Sequence, residues 1–325
     1  MHTLATIIVL ISAAIVDYVI GDPWGWLHPV QVMGWLISRY CDFLLSICQT
    51  KGQRRYAGVI LGLGLIFGSG MVGWGINLIK YYFSPYVGIF LEITLLASCF
   101  AGRSLKLAAE DVSTPLKEGN IDLARSKLSR YVGRDTEDLC PEEIWRATLE
   151  TVSENATDGV TAPLFYAIAG AFFPGVGPVS FALAYKAAST LDSMVGYRRE
   201  PFTDLGWFSA KFDDILTWIP CRLTVLTLAI LSGKPRIVLS ICYRDAPQDP
   251  SPNSGWSECV YAAILGVQLG GKNAYQGVLK AKPLLGDPLN PITSETVDKA
   301  LSLTRICFLL WLGLGISGLL LLSLY

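Results

Sequence analysis

Residues 160–185 read VTAPLFYAIAGAFFPGVGPVSFALAY. The run is apolar almost throughout, yet Pro174-Gly175-Val176-Gly177-Pro178 cuts it in two. Each half is about a dozen residues, short of the roughly 20 that a bilayer-spanning helix needs. The stretch predicts a re-entrant hairpin or a pair of short tilted helices. Irregular backbone there must be shielded by protein, because lipid offers it no hydrogen bonds.

The chain around it has the same character. Of its 325 residues 52% are hydrophobic and only 16% charged, with mean hydropathy +0.44. Soluble domains carry about 25% charged residues, so the composition indicates a membrane protein. Apolar runs at residues 4–21, 56–79, 86–101, 215–231 and 303–324 are candidate spans. The first lacks a basic leader and carries Asp17, which makes it a retained helix rather than a signal peptide. Glycines from Gly58 to Gly75 suit close helix packing. Lys51, Arg54 and Arg55 mark their link as cytoplasmic.

The predicted fold is all-α: a polytopic helical membrane protein with a cytoplasmic helical segment and at least one broken or re-entrant apolar segment. The expected divisions are 1–101, N-terminal membrane helices with a cytoplasmic loop; 102–159, a cytoplasmic helical segment; 160–302, a membrane-embedded and interfacial catalytic segment; and 303–325, a C-terminal transmembrane helix. Net charge is -1, which gives no surface for nucleic acid. The eight cysteines are scattered without a C-x-x-C pair and read as small buried hydrophobes.

Polar residues concentrate at a few points. Asp17, Asp22 and His28 cluster at the exit of the first run, with Trp24, Trp26 and Trp35 as an interfacial belt. Residues 103–117 read as an amphipathic helix, Asn120 as the cap of a second helix, and Pro141 as the first turn of a third. In the third, Arg146, Glu150 and Glu154 share a face at i,i+4 spacing, either as a solvated salt-bridge row or as part of a site. Arg222 lies inside an apolar run and calls for a partner; Asp213 or Asp214 is the expected one. Residues 266–273 approach a P-loop pattern but end in Asn273 where a Ser or Thr would ligate magnesium, and no strand-to-helix context surrounds them.

With His2 and His28 the only histidines, the sequence argues against Ser-His-Asp or Cys-His catalysis and against a zinc site of the usual His/Cys type. What remains is carboxylates, amides, Arg and Lys. Oxygen ligands suit Mg²⁺ and the cations suit phosphates. Composition alone leaves transport and catalysis equally open.

The motif series goes further. It runs Gly21-Asp22-Pro23 with His28-Pro29-Val30, Ala101-Gly102-Arg103-Ser104-Leu105, Val132-Gly133-Arg134-Asp135-Thr136, Glu154-Asn155-x-x-Asp158-Gly159-Val160 and Ala162-Pro163-Leu164-Phe165-Tyr166. It continues with Thr190-Leu191-Asp192-Ser193-Met194-Val195-Gly196-Tyr197, Asp213-Asp214 and Pro252-Asn253-x-Gly255-Trp256. Over roughly residues 17 to 290 this strongly resembles the adenosylcobinamide-phosphate synthase family of membrane-associated cobalamin biosynthesis proteins. Three positions depart from the family pattern: Ser189 stands for Asn, Asp249 for His, and Cys221 for Ala.

The resemblance implies an ATP-dependent, amide-forming ligase. A propionate carboxylate of adenosylcobyric acid would be joined to 1-amino-2-propanol or its O-phosphate. Mg²⁺ and ATP are the implied cofactors, and a corrinoid and aminopropanol (phosphate) the partners. Association with other late cobalamin-pathway membrane proteins is a further expectation, as is a multi-pass inner-membrane location with the site facing the cytoplasm. Expected catalytic carboxylates are Glu154, Asp158, Asp213 and Asp214, with Glu154, Asp158 and Asp213 on the metal. Expected substrate or phosphate contacts are Asp22, His28, Arg103, Arg134, Asp135, Asn155, Lys186, Asp192, Arg222 and Asn253. The rival readings are a membrane phosphotransferase on a lipid-linked substrate, and a transporter or non-catalytic partner of corrinoid enzymes.

Overall fold

A computed structural model describes residues 2–21, 28–197 and 200–324. Asp22, Trp24 and Trp26, with Arg198 and Arg199, lie outside the described residues. The helices are α1 (His2–Val19), α2 (Pro29–Ile47), α3 (Lys51–Tyr82), α4 (Pro85–Ala97), α5 (Gly102–Lys117), α6 (Ile121–Leu128) and α7 (Pro141–Asn155). A π-helical turn (Ala156–Thr161) leads into α8 (Ala162–Ala171). Then follow α9 (Pro178–Val195), α10 (Phe202–Leu205), α11 (Trp207–Leu231), α12 (Pro235–Asp245), α13 (Ser254–Leu265), strands β1 (Leu269–Tyr275) and β2 (Val278–Leu285), and α14 (Ser294–Leu322). Among the described residues four segments are long and apolar enough to cross a membrane: Lys51–Tyr82, Pro85–Lys117, Trp207–Leu231 and Ser294–Leu322. The protein is an all-α polytopic membrane protein carrying one small β-hairpin.

The chain forms two compact units, each assembled from separate stretches. The first comprises residues 1–103, 162–217 and 310–325. Its axis is α3, whose buried face carries Gly58, Gly62, Ile66, Ser69, Gly73, Asn77 and Lys80. That spacing of three and four residues follows one side of a helix. A Cβ on Gly73 would sit 2.6 Å from the Cα of Ser180 on α9, and one on Gly58 would sit 2.0 Å from the Leu205 carbonyl oxygen. Gly64, Gly68 and Gly75 meet nothing within 4 Å. Only one stripe of the glycines is packing surface. Between α3 and α4 the Lys80 ammonium bonds both oxygens of Glu92, at 3.1 and 3.0 Å, with both side chains buried.

The quoted stretch breaks where its prolines and glycines predict. Helices α8 and α9 flank a turn in which Gly177 has φ +85°. Tyr166 and Tyr185 stack across the pair with ring centroids 4.9 Å apart, and the Trp74 indole donates to the Gly175 carbonyl at 3.0 Å. The expected shielding of this backbone is not found: residues 172–175 are exposed, and the Trp74 bond satisfies one of their carbonyls.

The second unit comprises residues 104–161 and 218–309. Val112, Leu116, Ala124, Leu128, Ile144 and Ala147 from α5, α6 and α7 form its apolar core. The Asn120 side chain caps α6 through Leu123 N at 3.1 Å, and Pro141 begins α7. Buried hydroxyls tie the π-turn region to its neighbours: Thr157 pairs with Ser257 at 2.6 Å, and Thr161 with Thr224 at 2.7 Å. The Ser257 hydroxyl also lies 2.6 Å from the Ser153 carbonyl oxygen.

Residues 266–273 form no P-loop; most of them are strand β1. The antiparallel β1–β2 pairing runs from Tyr275↔Val278 to Leu269↔Leu285, with a bulge at Gly270. Gly270 has φ +85°, and a Cβ there would lie 1.9 Å from the Pro283 carbonyl oxygen, so this bulge requires glycine.

Candidate functional site

The polar residues of the second unit converge on one face of α7. Glu150 is 2% exposed. One of its oxygens takes the Arg134 guanidinium; the other accepts from Arg146 at 3.0 Å and from the Gly270 amide at 2.8 Å. Asn273 completes the ring: its side-chain oxygen accepts from Arg134 at 2.8 Å and from Arg146 at 3.0 Å. Burial alone would raise the Glu150 pKa. Arg134 and Arg146 outweigh it and hold the carboxyl below its ordinary value. The row is therefore a buried network rather than a solvated salt-bridge row, and the β-hairpin is what encloses it.

One turn on, Glu154 is half-buried. Burial pushes its pKa up; Lys282 opposes this, while Asp249 and Glu150 add to it. Glu258 on α13 is fully buried, and its Oε1 accepts from the Lys282 ammonium of β2 at 3.2 Å. Burial, with Glu154 and Glu150 adding to it against Lys282, raises Glu258 to about 8. Its Oε2 is buried without a hydrogen-bond partner. Two carboxyls and one ammonium thus sit beside the Arg134–Glu150–Arg146 ring. Such displaced carboxyls mark candidate functional sites.

The neighbouring motif residues build the frame. Asp135 accepts from the amides of Gln276 and Gly277 at 2.9 and 2.8 Å, pinning the hairpin turn. Asn155 donates to the Thr151 carbonyl at 2.9 Å. Asp158 is half-buried in the π-helical turn, a distortion often found at functional sites. Asn253 begins α13 and is buried. Arg222 corrects the expected aspartate pairing. It donates to the Pro252 carbonyl at 2.8 Å and lies over the rings of Trp256, at 4.3 Å, and Trp218, at 5.3 Å. A guanidinium can be matched by a carbonyl and aromatic faces as well as by a carboxylate. Asp249 accepts from Ser251 N at 2.8 Å and from the Ser254 hydroxyl at 3.2 Å, holding the turn that enters α13.

The remaining expected residues belong to the first unit. His28 caps α2, its Nδ1 accepting from Val30 N at 3.2 Å. Arg103 donates to the Tyr18 carbonyl at 3.1 Å. Lys186 and Asp192 lie half-buried on α9. On α11, Asp213 is buried and Asp214 lies 3.7 Å from Lys211. Among the described residues no three His, Cys, Asp or Glu side chains gather as a metal site.

The motifs do not point to Glu258 or Lys282, and they give Asn273 no role in a site. Glu258 had a usable signal, a lone carboxylate followed by Cys259-Val260-Tyr261 two residues beyond Trp256. Asn273 was read as the flaw in a P-loop, whereas it is the shared acceptor of two arginines. Lys282 had none; only the fold brings it to Glu258.

Comparison with known proteins places these observations. The family model described as CobD/Cbib protein matches residues 10–304. The chain is 53% identical over 317 residues to the cobalamin biosynthesis protein CobD of Synechocystis sp., covering 98% of this chain and 93% of that one. It is 39% identical over 302 residues to the cobalamin biosynthesis protein CbiB of Salmonella arizonae, covering 92% of each. With the CobD of Halalkalibacterium halodurans it shares 40% identity over 317 residues, 95% of this chain and 96% of the relative. No solved structure is significantly similar to it.

Proposed function

The chain belongs to the CobD/Cbib protein family, and from that membership we propose that it acts in cobalamin biosynthesis as an ATP-dependent amide-forming ligase. The reaction joins the carboxylate of adenosylcobyric acid to the amine of 1-amino-2-propanol or its O-phosphate. The products are adenosylcobinamide or its phosphate, ADP, phosphate and a proton. The observation that supports amide chemistry is the cluster of half-buried Glu154, buried Glu258 and partly exposed Lys282 beside the Arg134–Glu150–Arg146 ring.

A carboxylate is a poor acyl donor, so phosphoryl transfer from ATP precedes attack by the amine. The ligase must stabilise the transferring phosphoryl group, then accept a proton from the attacking ammonium. A carboxyl whose pKa is raised, as at Glu154, suits the second task. Arg134 and Arg146 fix Glu150, which keeps the face of α7 in place.

Mg²⁺ is bound in such reactions by one or two carboxylates together with substrate phosphates rather than by an all-protein cage. The oxygen donors Glu154 and Asp158, both of the second unit, fit that mode. The ion would neutralise charge developing on the phosphoryl oxygens. The membrane-spanning helices fit a multi-pass protein of the cell's inner membrane, with the site on the cytoplasmic side where ATP is available.

The test is a product assay. Detergent-purified protein receives adenosylcobyric acid, aminopropanol phosphate and Mg-ATP, and corrinoids are followed by mass spectrometry. An amide that requires both ATP and amine establishes the ligase. Absence of product from folded protein, alone and with the other late-pathway membrane proteins added, rejects it and favours transport.

A further inference from the structure

We propose that Lys282 binds an anionic oxygen of the substrates, phosphoryl or carboxylate, and that Glu258 is the positioning residue that aims it. The identity of the substrate rests on the ligase reading above; the binding itself does not.

Arg134 is engaged by Glu150 and Asn273. Arg146 is engaged by Glu150, Asn273 and the carbonyls of Gly270 and Lys272. An ammonium has three donors, and Lys282 makes one hydrogen bond among the described residues, to Glu258 Oε1 at 3.2 Å. The Arg134 and Arg146 side chains are 7% and 14% exposed, so Lys282 is the most open of these three cations. Its side chain is 30% exposed while Glu258 is 0% exposed, so the carboxylate is the enclosed end and the ammonium the end that reaches outward.

The carboxylate carries a second sign. Oε2 of Glu258 is buried with no hydrogen-bond partner, and such an orphaned acceptor is costly. A pair that served only to hold β2 on α13 would be matched or exceeded in stability by apolar side chains of similar size. The hairpin is already attached by Asp135, Glu150 and Asn273. Burial would lower the Lys282 pKa, but the acidic surroundings outweigh it and raise the value, as an anion contact requires.

The experiment uses the full-length protein in detergent with K282M, K282R and E258Q. Equilibrium binding of ATP, adenosylcobyric acid and aminopropanol phosphate is measured separately, alongside kcat, each KM and the thermal midpoint. Expected is a loss of about 10- to 100-fold in affinity and KM for one of the three ligands in K282M. K282R should restore part of it, and E258Q should weaken the same ligand. The ligand affected identifies the source of the oxygen. Unchanged affinity for all three in K282M, with only the thermal midpoint or kcat altered, overturns the proposal. Wild-type protein that binds ligands but forms no amide sinks the ligase reading, and the binding comparison still decides Lys282.

Discussion

The amide of Gly270 donates to Oε1 of Glu150 at 2.8 Å, across 120 residues of sequence. This bond joins the bulge of β1 to the middle of α7, and the two arginines on the same carboxylate make it the hub of the second unit. Replacing Glu150 by Gln leaves Arg134 and Arg146 enclosed without a counter-charge. Breaking a buried pair in this way costs about 3–5 kcal/mol. E150Q should therefore unfold at a markedly lower temperature or denaturant concentration than the parent, and a shift within error would remove the hub role.

Lys80 and Glu92 make a similar pair between two apolar helices, with 7% and 1% of their side chains exposed. Glu92→Gln should cost about 3–5 kcal/mol, whereas K80M combined with E92L should restore stability to within about 1 kcal/mol of the parent or exceed it. A double-mutant cycle in detergent measures this. Losses that simply add would show that the two residues are not coupled.

Glu258 sets a pH dependence. Its folded value of about 8 exceeds the ordinary 4.5, so between these limits the folded protein holds a proton that the unfolded chain has released. Its contribution to stability is complete below about pH 4.5 and falls as the pH rises to about 8. Glu154, also raised, acts in the same direction. Thermal midpoints recorded from pH 5 to pH 8 should decline in the parent and decline less in E258Q. Parallel curves would exclude Glu258 as the source.

The glycines of α3 separate packing from lipid exposure. Gly73→Val should destabilise by about 1–3 kcal/mol through overpacking against Ser180, while Gly64→Val, which meets open space, should stay within about 0.5 kcal/mol. Equal effects at the two positions would contradict the α3–α9 contact.

Asp158 provides the test on activity. Asp158→Asn should lower kcat for amide formation by about 100-fold or more, as expected when a group stabilising transition-state charge is lost, with the thermal midpoint little changed. Full activity in folded D158N protein would take Asp158 out of the chemistry.

The apolar runs at 56–79, 215–231 and 303–324 were legible because length and hydropathy report directly on what a bilayer demands. The first run, by contrast, forms a helix shorter than the crossing ones, and the third continues to Lys117. The break at residues 174–178 was legible because proline and glycine act locally. Helix α2 was not found: its buried Met33, Ile37, Cys41 and Leu44 lie among polar and aromatic residues, and the segment read as a link. The hairpin escaped for another reason. Asp135 meets Gln276 and Gly277 at separations of 141 and 142 residues, and no local pattern encodes such a pairing. Arg222 shows the same limit: its need for a partner was readable, but not that the partners would be a carbonyl and two indoles. The motifs located Glu154 and Asp158, while Glu258 and Lys282 emerged only where α13 and β2 meet.

The 120 residues between Glu150 and Gly270 also impose a timetable on synthesis. At about 5–20 residues per second, the ribosome needs roughly 6 to 24 seconds to pass from one to the other. During that interval the ribosome makes α8 to α13, including the crossing-length helix α11, while the arginine-flanked carboxylate waits for the strand that will cover it. Residues 104–161 leave the ribosome as half a domain. The last helix emerges only after the hairpin, so maturation of the charged cluster is a late event that belongs to the completed chain.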